Sequence, residues 1–189
     1  MAHFQKDGLW IQGGQGALAN VDEATPFVAG QLGKVLSIRD AGGKDTAFYQ
    51  YVLRYATQTN VTTCTTNCPA YWQDLDDFVV SAESTDAIGD VTNPIVAGVW
   101  LGTAPAAGQY GFIQVGGRAE VSVTDTVAAG ERLELANNSQ FKTLAAITIT
   151  SQAVSVAVPA PVYALAEDAV GTSTDSSITA VLQVIHNGW

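Results

Sequence analysis

Few residues in this chain could do chemistry, and their spacing narrows what that chemistry is. Cys64-Thr65-Thr66-Asn67-Cys68 holds the only two cysteines. A structural zinc site takes four protein ligands, and the two histidines, His3 and His186, lie at opposite ends of the chain. A nucleophilic cysteine needs a base beside it, and the sequence offers none. Two readings remain: free thiols in a reducing cytoplasm, or a local disulfide between Cys64 and Cys68 in an oxidising medium. The polar, Thr- and Asn-rich setting favours the disulfide, which would stabilise by about 2 kcal/mol, mostly locally.

Asp74, Asp76 and Asp77 form the densest carboxylate cluster. A calcium loop needs alternating oxygens, a glycine and a distal bidentate glutamate. Leu75 and Phe78 interrupt that pattern, so the cluster reads as a solvated turn. Beside it, Tyr71 and Trp72 could stack on a sugar or bury at an interface, or simply anchor a loop to the body. Trp100 sits on an apolar stretch and reads as core. Asn60-Val61-Thr62 and Asn137-Asn138-Ser139 match glycosylation sequons, which carry weight only in a secreted protein.

No nucleophile elbow, phosphate loop, zinc-protease helix or dinucleotide fingerprint is present. Gly13-Gly14-Gln15-Gly16 lacks the Lys-Ser/Thr of a phosphate loop. Carboxylate-only glycosidase chemistry has no pair that the sequence can assign. The chain is therefore read as a non-enzyme with no cofactor and no metal. Eight basic residues face 18 acidic ones, giving a net charge of −10. No basic cluster exists for phosphate backbones or anionic lipid surfaces, so neither nucleic acid nor membrane is an expected partner. Dispersed negative charge keeps an apolar protein soluble. Met1 to Asp7 lacks the basic and apolar regions of a signal peptide, and no apolar run is long enough for a membrane helix. Synthesis in the cytoplasm is the expectation.

Positioning falls to strands. The 189 residues are 47% hydrophobic and only 14% charged, and Ala, Val, Thr and Gly supply nearly half of them. This composition excludes disorder and coiled coil and suits close-packed sheets. Val35 to Ile38, a turn at Asp40 to Gly43, and Phe48 to Tyr55 read as a hairpin. In Phe48 to Tyr55, alternation sets Tyr49, Tyr51, Leu53 and Tyr55 against Phe48, Gln50, Val52 and Arg54. Residues 56–77 read as a long irregular loop, of the kind that is usually functional or mobile. Further strands are predicted at Ile95 to Leu101, Tyr110 to Val115 (ended by Gly116-Gly117), Arg118 to Val123, Glu131 to Leu135, Phe141 to Leu144 and Ile178 to Ile185. Ala119, Val121 and Val123 point inward, with Arg118, Glu120 and Ser122 outward. A short helix is weakly indicated between Val162 and Val170. Short strands at near-regular spacing indicate an all-β fold, a compact β-barrel or β-sandwich of short antiparallel strands with an extended N-terminal arm.

Residues 1–30 form that arm and residues 31–189 the body, with the loop at about 56–77 inserted in it. Phe4, Leu9, Trp10 and Ile11 precede the glycine-rich joint and want burial, either on the chain's own core or on a partner. Thr143 to Ala166 is a stretch of 24 residues without a charge. A free edge of this kind would aggregate, so it reads as a central strand or as a strand that meets another subunit.

The order of segments carries a family resemblance. Ile95-Val96-Ala97-Gly98-Val99-Trp100-Leu101 precedes a small-residue turn, Ala104 to Gly108. Tyr110 to Val123 follows, with Val-Gly-Gly-Arg-Ala-Glu-Val at its centre. Ala128-Ala129-Gly130-Glu131-Arg132-Leu133 and Asn137-Asn138-Ser139-Gln140 come next, then Tyr163 to Ala169 and Ile178 to Ile185. This succession resembles the small β-barrel decoration, or cement, proteins of tailed-bacteriophage capsids. It covers about residues 88–187, and residues 32–55 are similar to the family's first hairpin. The cysteine loop and the length of the uncharged stretch depart from the pattern.

The resemblance implies a structural virion protein on the outer capsid surface, made in the host cytoplasm. It implies the major capsid protein as partner and self-association as a homotrimer, with the shell stabilised by bridging capsomers. Phe4, Leu9, Trp10 and Ile11 are the implied partner-binding residues. A carbohydrate-binding or adhesive virion module, using Tyr71, Trp72 and Asp74 to Asp77, is the alternative, as is a tail or head-fibre subunit.

Overall fold

The fold is that of a computed structural model. The structure describes residues 3–6, 9–12, 32–39, 46–54, 67–90, 93–102, 104–137, 140–144, 163–171 and 176–182. Strands β1 (His3–Lys6) and β2 (Leu9–Gln12) pair with each other; β3 (Val35–Arg39), β4 (Thr46–Arg54), β5 (Pro69–Asp74) and β6 (Val79–Ser81) follow. A small hairpin of β7 (Gly89–Asp90) and β8 (Asn93–Pro94) leads to β9 (Val96–Trp100) and the long β10 (Tyr110–Val123). β11 (Arg132–Asn137), β12 (Gln140–Thr143), β13 (Ala164–Ala166) and β14 (Ser176–Leu182) complete the order. Among the described residues the one helical piece is a 3-10 turn, Ser84–Asp86. No helix there is long and apolar enough to cross a membrane. The chain is all-β and barrel-forming.

Pairing closes the sheet on itself twice. β4, β10, β9, β5 and β6 form one ring of five strands. β10, β14, β13, β11 and β12 form a second. Strand directions cannot alternate all the way round an odd ring, so one neighbouring pair in each must run parallel. In the first ring that pair is β4 with β6, through Leu53↔Val79 and Arg54↔Val80. In the second it is the single contact Val123↔Phe141, extended by a 3.0 Å bond from Thr124 N–H to the Phe141 carbonyl. Closure removes edges that would otherwise recruit other strands.

β10 belongs to both rings, and its middle is built for the exchange. Residues Tyr110 to Gly116 pair with β4, and Gly117 to Val123 pair with β14. The register against β4 slips between Gln114 and Gly116, and Gly117 takes φ +82°, a conformation that disfavours side chains. The buried Gln114 amide donates to the carbonyls of Gly116 at 3.2 Å and Arg118 at 2.7 Å. These carbonyls lie where the strand leaves one partner for the next, and a buried acceptor without a donor is costly. Gly116-Gly117 therefore does not end a strand, as the sequence suggested. It lets one 14-residue strand pass from ring to ring.

Two other expectations change. Part of the 56–77 stretch is barrel: β5 lies between β9 and β6, with Ala70 and Tyr71 fully buried. The proposed helix at 162–170 gives way to β13, whose Ala164 and Ala166 fit a tight position between β11 and β14. In the predicted arm, residues 3–6 and 9–12 form the paired strands β1 and β2. Most of the uncharged stretch, residues 145–162, lies outside the described residues.

Packing follows the rings. Val121, Val123, Leu133, Phe141, Ile178 and Ala180 belong to the core of the second ring. Around the first ring, β4 is buried on both faces: Val52 packs with Ile113, Val80 and Trp100, while Tyr49 and Tyr51 pack with Phe112. The Tyr51 ring lies 4.9 Å from Phe112 and 5.9 Å from Tyr110, contacts worth about 0.5–1.5 kcal/mol each beyond burial.

β9 approaches β10 closely at Gly98, where a Cβ would lie 2.4 Å from the Gln114 carbonyl oxygen. Backbone must move to admit it. Gly98→Ala is expected to destabilise by about 1–3 kcal/mol in a thermal or urea melt. Gly171→Ala, with nothing within 4 Å of its Cβ, should stay within about 0.5 kcal/mol of wild type.

Candidate functional site

The polar groups singled out in the sequence fall into three places. The first is the aspartate cluster at the end of β5. Asp74 accepts bonds on Oδ1 from the backbone N–H of Asp76 at 2.9 Å and Asp77 at 3.2 Å. This is an Asx-type turn, with one carboxylate already occupied by backbone. Among the described residues no three His, Cys, Asp or Glu side chains are grouped to hold a metal ion.

The second is the rim beside that turn. Trp72 is half-buried and meets Phe78 edge-on at 6.5 Å. Phe78 holds the left-handed conformation at φ +52°, and its ring fills the space in which a Gly33 Cβ would sit. Leu75 and Ile95 are exposed, at 39% and 44%. Main-chain bonds join Trp72 to Ile95 at 3.0 Å and to Ile88 at 2.7 Å. The rim thus offers aromatic and aliphatic surface next to exposed Asp76 and Asp77. Tyr71, its sequence neighbour, is wholly buried and does not share it. Burial, with Tyr163 and Glu83 nearby, pushes the Tyr71 phenol far above its ordinary range.

The third is the junction of the rings, which sequence reasoning missed. Asn67 is buried at φ +54°, a conformation that asparagine tolerates better than most residues. Its N–H donates to the Gly102 carbonyl at 2.9 Å, and its Oδ1 accepts from Gly102 N–H at 3.1 Å. Its carbonyl accepts from Ser122 N–H at 2.9 Å, and its Nδ2 donates to Glu120 Oε2 at 3.2 Å. Asn67 thus ties the end of β9 to the half of β10 that belongs to the second ring. Cys68, next in sequence, is buried and disulfide-bonded; Cys64 lies outside the described residues. The asparagine between the two cysteines was the available signal, but its contacts are non-local.

The partner-binding candidates lie in the hairpin. Its register sets Phe4 opposite Ile11, Lys6 opposite Leu9 and Gln5 opposite Trp10. Among the described residues the hairpin pairs with no other strand. The acidic turn that carried part of the family resemblance is structural: Glu131 Oε2 accepts from Ala128 N–H and from Thr143 Oγ1, both at 2.8 Å. Comparison with family models, curated proteins and solved structures finds no match to this chain.

The bonds from Ala128 and then Thr143 hold the Glu131 carboxyl below its ordinary value of 4.5. A carboxyl depressed in the folded state stabilises above its unfolded value and loses that contribution as pH falls through the folded one. Glu131→Gln should therefore melt lower than wild type at neutral pH, and the gap should narrow in strong acid. A gap that is constant across a pH series of thermal melts would contradict this role.

Proposed function

We propose that this protein is a structural component of a tailed-phage virion that binds the outer capsid surface and bridges capsomers. The observation that carries the reading is mechanical: a doubly closed barrel joined to a hairpin that pairs with none of its described strands. Two four-residue strands are not stable alone in water. A hairpin bearing Phe4, Leu9, Trp10 and Ile11 gains its order by docking, on the shell or on an adjacent protomer. A body that resists deformation with a docking arm is the form a molecular clamp requires. Many weak, identical contacts on a symmetric surface then sum to firm attachment. Low charge and small side chains suit close approach between subunits, and the family resemblance of the segment order points the same way. The partner is then the major capsid protein, with self-association into a homotrimer.

The rim of Trp72, Phe78, Leu75 and Ile95 favours a second reading, an adhesive module that stacks an aromatic on a sugar beside Asp76 and Asp77. A glycan array discriminates, since the clamp reading expects no hits.

Deleting residues 1–16 should leave the barrel's melting unchanged. In co-sedimentation with expanded shells lacking the protein, it should abolish or strongly weaken saturable binding. Undiminished binding by the deletion variant would remove the hairpin from the mechanism.

A further inference from the structure

The disulfide and the ring junction meet at adjacent residues, and this proximity has a consequence beyond local loop closure. The chain has two cysteines, and Cys68 is disulfide-bonded. Within one chain the bond can only join it to Cys64, across a loop that contains Asn67. Asn67 makes four hydrogen bonds that link Gly102 after β9 to Glu120 and Ser122 of β10. The Cys68 carbonyl accepts from Trp100 N–H at 2.9 Å, so Cys68 is stitched to the end of β9 beside the Asn67 bonds to Gly102. We propose that the disulfide is a redox-controlled lock on the inter-ring junction, holding Asn67 in its left-handed, four-bonded conformation.

A covalent loop around Asn67 reduces the number of conformations its backbone can reach. An asparagine at φ +54° is held against its own preference. Without the bond, the backbone can relax toward negative φ, which misdirects the carbonyl, the N–H and the side-chain amide together. The rings stay joined through β10 but lose the hydrogen bonds that Asn67 makes between them. The step is a two-electron exchange: a dithiol reductant gives two electrons and two protons to the disulfide, leaving two cysteine thiols and the oxidised, cyclic disulfide of the reductant. Thiols prevail in a reducing cytoplasm, and the bond forms on passage to an oxidising medium. The junction is therefore loose where the protein is reduced and tight where it is oxidised. This lock does not depend on shell binding; it follows from the junction alone.

Amide hydrogen exchange on the full chain, oxidised and after dithiothreitol, tests it. Reduction should speed exchange at Gly102 and Ser122 about tenfold or more, the change that losing one buried hydrogen bond brings to a local opening equilibrium. Val127 and Tyr163, bonded elsewhere in the second ring to Val170 and Leu133, should be unaffected. Asn67→Ala in the oxidised protein should accelerate Gly102, whose N–H loses its Oδ1 acceptor, while Ser122, bonded to the residue 67 backbone carbonyl, stays protected as long as the disulfide is intact. The lock is overturned if Gly102 and Ser122 exchange equally in both redox states. It is also overturned if Val127 and Tyr163 accelerate as much as they do, or if Ser122 in oxidised Asn67→Ala exchanges as fast as in the reduced wild type.

Discussion

The structure depends on one strand serving two closed rings. Among the described strands, β10 alone is common to both rings, and each ring is closed by a parallel contact that its odd strand number forces. Everything that lets β10 cross between rings is local and specific: the slipped register before Gly116, the positive φ of Gly117 and the Gln114 amide over two carbonyls. Gly98 admits β9 against this same stretch. Small residues at these points are conditions of closure.

The polar chemistry that can be described is largely engaged in holding this frame. Asp74 caps its own turn, Glu131 closes another, and Asn67 joins the rings. Arg118 pairs with Glu167 on the surface, where such a pair adds little stability. The surplus negative charge remains dispersed. Among the described residues, the hairpin pairs with no other strand, and Leu75 and Ile95 of the rim are exposed. This division of labour underlies the clamp reading.

Legibility in the sequence followed the physics of one-sided burial. Arg118 to Val123 was readable because Ala119, Val121 and Val123 are buried while Arg118 and Glu120 are exposed. In Phe48 to Tyr55 both alternating faces lean apolar, which reads as a strand, and Tyr49, Tyr51 and Val52 are buried on the two sides while Phe48 stays exposed. β5 was hidden by its setting, since Pro69 and Asp74 bracket a six-residue run that resembles loop. Gly116-Gly117 reads as the end of a strand because a glycine pair usually breaks one, whereas here it permits a crossing. Asn67 could not be found by local pattern, because Gly102 lies 35 residues away from it in sequence. The acidic turn at Glu131 was recognisable as a turn, but only the structure shows that its carboxylate is consumed by Ala128 and Thr143.

The central claim is that this chain fastens a shell from outside. Electron cryomicroscopy of expanded shells incubated with the purified protein addresses it directly. The account predicts added density on the outer surface at three-fold or quasi-three-fold positions, spanning neighbouring capsomers, into which the double barrel fits. Shells left bare at saturating protein, or density confined to a tail or fibre, would contradict it.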